Sequence, residues 1–169
     1  MSRRLALDII VDEPQWNAVP GVKPALRRAI DAAASPVLVD TLGSARSELA
    51  IVLTSDESIR ALNRQWRGRD QATNVLSFPS QKAPPRVTGP RLLGDVVIAY
   101  ETTASEARAQ GVRFDHHLAH LAVHGFLHLL GYDHESDNEA ETMERLEREI
   151  LARLDMPDPY AIRDQGDRL

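Results

Sequence analysis

DHHLAHLAVHGFLHLLGYDH, residues 115–134, decides how this chain is read. Apolar residues occupy nearly every side of a helix drawn over about 115–130, so that helix has no water-facing stripe and belongs at the buried centre of the fold. Within it His124 and His128 stand four residues apart, one turn above the other on the same face. Gly131 readily takes the left-handed conformation that ends a helix, and the short turn 131–133 swings His134 back toward the other two. Imidazoles spaced His-x3-His-x5-His reach one zinc ion at its usual ~2.0–2.1 Å bond length, and three ligands leave a tetrahedral ion one open position. His116, His117 and His120 enrich the same run. For His120, one turn before His124, core packing competes with a supporting or alternative ligand role.

Composition fits one globular domain over residues 1–169, with a polar tail from about 158: 169 residues are 43% hydrophobic and 27% charged. Without cysteine, disulfides and thiolate ligands are excluded, which suits a cytoplasmic protein. MSRRLALDIIVDE at the start carries two arginines, but Asp8 interrupts its apolar run, so it reads as a strand and not as a leader. No apolar stretch approaches the ~18 residues of a membrane helix. A net charge of −5 argues against a protein that coats itself on nucleic acid, although a local basic patch still serves.

Outward from the histidine helix, the pattern predicts strands at 4–12, 47–55, 73–78 and 92–100. Helices are expected at 21–34, from Thr54 to Gly68, at 101–110 before Gly111, and after Ser136. Thr54 with Glu57, and Ser136 with Glu139, have the form of capping boxes. The Thr54 helix should turn Ile59, Leu62 and Trp66 inward, and the last helix Ala140, Met143, Leu146, Ile150 and Leu154. The proline-rich stretch 81–90 reads as a loop. Strands followed by a run of helices describe an α+β domain, with about four strands in one mixed sheet and about five helices packed on it.

RGRDQATNVLSFP at 67–79, GDVVIAY at 94–100, HGFLHLLGYDH at 124–134 and the following EAETMERLE segment resemble, in order, the YbeY family of bacterial rRNA maturation endoribonucleases. The likeness runs from about residue 48 to 160. It implies a single zinc ion on His124, His128 and His134, a functional arginine at Arg67, and cytoplasmic action in processing the 3′ end of small-subunit rRNA and in ribosome quality control. Implied partners are rRNA and the small ribosomal subunit, with ribosomal proteins or an assembly GTPase beside them, and no membrane. Ala72 stands where the family commonly has proline and Arg69 where lysine is frequent; neither touches a ligand.

A zinc ion suits phosphodiester cleavage by polarising a phosphoryl oxygen and by lowering the pKa of water toward about 7. Arg67 is the candidate for the charge gathering on the phosphate, because a planar guanidinium matches phosphoryl oxygens better than an ammonium does. Asp133, between the turn and the third histidine, either orients an imidazole, takes a proton from the attacking water, or caps the turn. Arg60, Arg64, Arg67 and Arg69 form either a basic stripe or an ordinary charged helix face, which Lys82, Arg86 and Arg91 would extend. Ser77 and Asp95 are lesser candidates for hydrogen bonds near the site. Two rival functions remain. A metzincin-like zinc protease would need His-Glu-x-x-His, and Gly125 stands where its general base belongs. A non-catalytic, zinc-stabilised ribosome assembly factor is opposed by the three-ligand count.

Overall fold

The computed structural model describes residues 5–41, 46–80 and 91–161. It is an α+β domain: β1 (Leu5–Val11), α1 (Val22–Thr41), β2 (Ser47–Thr54), α2 (Asp56–Arg67), β3 (Val75–Pro79), β4 (Arg91–Ala99), α3 (Tyr100–Gln110), α4 (Phe114–Leu129) and α5 (Asp137–Arg153). The mixed four-stranded sheet has the order β1-β2-β4-β3. β1 and β4 run parallel to β2, while β3 pairs antiparallel with β4 at the edge. α1 extends beyond the expected boundary at residue 34. A 3-10 turn at Pro14–Ala18 lies between the first expected strand and the first expected helix. It buries Trp16, whose indole N–H donates to the Thr54 carbonyl at 2.9 Å and whose ring meets Tyr100 and Phe114.

α4 lies at the centre, touching α1, α3, α5, β3 and β4. Ten of its residues are buried, from His117 to Leu129, as an all-round apolar helix requires. Its core partners include Leu49, Ile51 and Leu53 of β2 and Val96 and Ile98 of β4. Alternation along β4 sends Val97 and Ala99 to the opposite face, where Ile59 of α2 covers them.

Two expectations about α2 are corrected. Ser55, not Thr54, is its N-cap: the Ser55 hydroxyl accepts from the Ser58 amide at 3.2 Å. Thr54 is instead the buried last residue of β2 and donates to Asp12 at 2.7 Å. Trp66 is 62% exposed: it shares the helical face of Ile59, Leu62 and Asn63 but stands on the last turn of α2. At the start of α5 the Ser136 hydroxyl accepts from the Glu139 amide, and Met143 and Ile150 are buried as read. The loop reading for 81–90, with Lys82 and Arg86, lies outside the described residues.

Between Glu48 and Leu49 the β2–β4 register slips by one residue, a bulge that Gly94 accommodates at φ +131°. A Cβ at Gly94 would collide with the carbonyl oxygen of Phe78 and lie 2.8 Å from the Ser80 amide nitrogen, both backbone atoms of the edge-strand segment. Gly94→Ala is therefore expected to cost about 3 kcal/mol or more, from overpacking plus a strained φ. Urea unfolding measures it, and hydrogen exchange should show β3 amides losing protection first; an unchanged midpoint would contradict the close approach.

Candidate metal centre

α4 ends as the glycine predicts. The Tyr132 amide donates to the Leu127 carbonyl at 3.1 Å and the Gly131 amide to His128 at 3.0 Å, with Gly131 at φ +97°. This double hydrogen bond is the Schellman termination, and it reverses the chain within two residues. His134 thereby returns to the helix: its ring centroid is 5.1 Å from that of His128 and 5.9 Å from that of His124. His124 and His128 present their Nε2 atoms to each other at 3.1 Å. The three imidazoles are thus neighbours, with His128 standing between the other two.

Asp133 joins this group, since ligand atoms of His128, Asp133 and His134 lie within 4.8 Å of one another. Its Oδ1 accepts from the His134 amide at 2.7 Å and sits 3.5 Å from His134 Nδ1. That is a turn cap which also faces the imidazole. His124 lies outside that group of three but is held by a buried partner, whereas Asp133 is 45% exposed.

That partner is Glu147 on α5, the residue sequence reading missed. Fully buried, it accepts from His124 Nδ1 at 2.5 Å and from His120 Nε2 at 3.2 Å, and the Tyr160 hydroxyl donates to it as well. Fixing Nδ1–H on a carboxylate selects the tautomer that leaves the Nε2 lone pair of His124 free for a metal. Burial alone would raise the Glu147 pKa, but hydrogen bonds from His120 and His124 outweigh it and lower the value to about 2. The signal was present in the sequence: Glu147 interrupts the apolar stripe of α5, one turn after Met143 and next to Leu146. Tyr160 falls in the segment read as the start of a polar tail; residues beyond 161 lie outside those described.

His128 is kept below the ordinary imidazole range by burial first, then by its neighbours His124 and His134. A neutral ring retains the lone pair that a metal needs. His117, 5% exposed, is lowered by burial against the opposing pull of Glu106. For a base depressed on folding, the unfolded chain takes up its proton first as pH falls. Stability is therefore full above the ordinary value of 6.5 and is lost as pH drops toward the lowered one. Metal-free protein should show a urea midpoint that falls below about pH 6.5, by up to about 1.4 kcal/mol per pH unit per group. His117→Gln should flatten part of that slope, and a flat wild-type profile would sink the prediction.

Arg67 is tied to β3. Its Nη2 donates to the Ser77 carbonyl at 2.8 Å, and its guanidinium lies 5.7 Å from the centroid of the Phe78 ring. The Ser77 hydroxyl in turn donates at 2.9 Å to the carbonyl of Gly125, next to His124. Ser77 is thus the rivet between edge strand and metal helix. Arg60 is engaged by Asp70 at 2.9 Å, a solvent-exposed pair, so the basic stripe is reduced to Arg64, Arg67 and Arg69. Asp95 is exposed and lines a depression with Asp8 and Glu48 on the sheet face opposite Val96, away from the imidazoles. Arg91 opens β4 and is exposed. Among the described residues no helix is long and apolar enough to cross a membrane.

Comparison with known proteins identifies the family. A family model described as Endoribonuclease YbeY matches residues 17–155. Endoribonuclease YbeY of Rhodopseudomonas palustris strain BisA53 is 51% identical over 165 residues, covering 96% of this chain and 94% of that protein. Its counterpart in Nitrobacter winogradskyi is 57% identical over 157 residues, covering 91% and 81%. The solution structure of TM1509 from Thermotoga maritima matches with a TM-score of 0.55 over 90% of this chain and 97% of that one; at 24% identity it supports the fold alone. Because the family match runs from before α1 to the end of α5 and these relatives are more than half identical over most of both chains, the chain belongs to the YbeY endoribonuclease family.

Proposed function

We propose that this protein is a zinc-dependent endoribonuclease that matures rRNA in the cytoplasm, acting at the 3′ end of the small-subunit rRNA and in ribosome quality control. The observation that carries the reading is the convergence of His124, His128 and His134, with His124 held by buried Glu147. The donor set suits zinc: three imidazole nitrogens, one ring locked in its tautomer and another kept neutral by burial. When bound there, the ion supplies Lewis acidity toward a phosphoryl oxygen and a lowered pKa for water.

The protein's own residues supply the rest. Arg67, held on β3, offers its remaining N–H groups to the non-bridging oxygens of the attacked phosphodiester. Asp133, beside His134, orients that ring and offers an acceptor for a proton released at the attacking oxygen. Arg64 and Arg69 add positive charge along the path of the backbone, and ribosomal proteins or an assembly GTPase would present the rRNA.

Purified protein, with metal content measured on the same sample, is tested on a structured rRNA 3′ precursor. His128→Ala should lose zinc and cleavage together. Arg67→Ala should keep zinc and slow cleavage about 10²–10³-fold, the usual cost of one charge-stabilising donor. If both variants process RNA like wild type while only His128→Ala loses zinc, a non-catalytic assembly factor is the correct reading. Cleavage of casein with RNA left intact would favour the protease. Linear phosphate ends would identify water as nucleophile, and a 2′,3′-cyclic phosphate the RNA 2′-hydroxyl.

A further inference from the structure

Beside the metal centre a cavity of about 630 Å³ opens between α3, α4 and the segment after α5. His124 lines one end, Glu106 and Asn74 the other, and Tyr160 and His120 stand between them with ring centroids 5.5 Å apart. The arrangement at the far end is ordered by its hydrogen bonds. Asn74 Oδ1 accepts from the Val75 amide at 2.7 Å, which turns the Asn74 amino group toward Glu106 at 3.0 and 3.1 Å. His117 Nε2 meets Glu106 Oε2 at 2.7 Å. The carboxylate is held from behind by these donors yet stays 32% exposed, presenting acceptor capacity to the cavity.

We infer that this cavity is a nucleobase subsite which selects a base bearing an exocyclic amine, and that Glu106 is its specificity residue. An amino group donates to the carboxylate, as cytosine N4 does to glutamate or aspartate elsewhere. The carbonyl of uracil at the same position would set lone pairs against lone pairs. The shared wall at His124 assigns the base to the nucleotide flanking the attacked phosphate. This inference rests on the reading of the chain as an RNA-cleaving enzyme.

The cleanest probe is the pair CMP and UMP, which differ at the 4-position, titrated calorimetrically into the full-length protein. CMP should bind about tenfold or more tightly than UMP, the discrimination expected of one good base contact. Glu106→Gln should bring the two within about twofold. Because that change also touches Asn74 and His117, Ala109→Trp, on the exposed side of α3 where it lines the cavity, is the second variant. It should abolish binding of both nucleotides with the Glu106 network untouched. Equal CMP and UMP affinities in the wild type, or an unchanged ratio in Glu106→Gln, would overturn the subsite. In cleavage assays a cytosine-to-uracil change beside the scissile phosphate should slow the wild type and not Glu106→Gln. Nucleotide discrimination without RNA cleavage would sink the endoribonuclease reading and spare the subsite, whereas cleavage indifferent to that base would do the reverse.

Discussion

Glu147→Ala is expected to weaken zinc binding about 10–100-fold and to cost the fold about 3–5 kcal/mol. Three groups lose their acceptor at once: His124 Nδ1, His120 Nε2 and the Tyr160 hydroxyl, in a place with no water-exposed carboxylate surface. Freed of that bond, His124 can rotate or change tautomer, so the loss appears in metal affinity as well as in stability. Glu147→Gln separates the two effects. It keeps the volume and one acceptor oxygen, so it should fold with a smaller penalty while still binding zinc less tightly. Competition with a chelator gives the affinity and urea unfolding of the metal-free protein gives the stability. A wild-type zinc affinity in Glu147→Ala would remove Glu147 from the site.

Gly125→Glu, which writes His-Glu-x-x-His into α4, should yield a protein that fails to fold stably and not a protease. A Cβ at this position would lie 2.6 Å from Val96 Cγ1 and 3.2 Å from Ser77 Oγ, and Val96 is fully buried on β4. Alanine alone should cost about 1–3 kcal/mol through overpacking. Glutamate adds the burial of an unpaired charge, taking the loss beyond about 4 kcal/mol. The structure thus gives the glycine a reason independent of chemistry: α4 packs so closely on the sheet that position 125 faces strands, not imidazoles. Thermal unfolding of Gly125→Ala is the accessible measurement, and a variant as stable as wild type would refute the close contact. A folded Gly125→Glu that cuts peptides would reopen the protease reading.

Much of the fold was legible because its causes are local. Among the described residues the four strands and five α-helices follow from apolar periodicity, with ends marked by Gly68, Gly111 and Ser136. Two positions depart from what their own residue types suggest. Trp66 is large, apolar and on the face of Ile59 and Leu62, yet the last turn of α2 leaves it exposed. Thr54 has the form of a cap but is the end of β2, and the choice between Thr54 and Ser55 turned on where strand pairing stops. The 3-10 turn holding Trp16 was hidden in a segment whose only local signals were prolines.

The site divides the same way. Backbone geometry within one short stretch places His124 and His128 on one face and lets Gly131 return His134, so the three imidazoles are readable from local pattern. What braces them comes from distant parts of the chain: Glu147 lies 23 residues beyond His124, Tyr160 40 beyond His120, and Ser77 meets Gly125 across 48. The physical reason is one of range. Helical repeat and turn chemistry act over a few residues and leave a periodic trace, whereas a buried carboxylate aimed at an imidazole depends on which faces of α4 and α5 meet. That meeting is set by packing of the whole core.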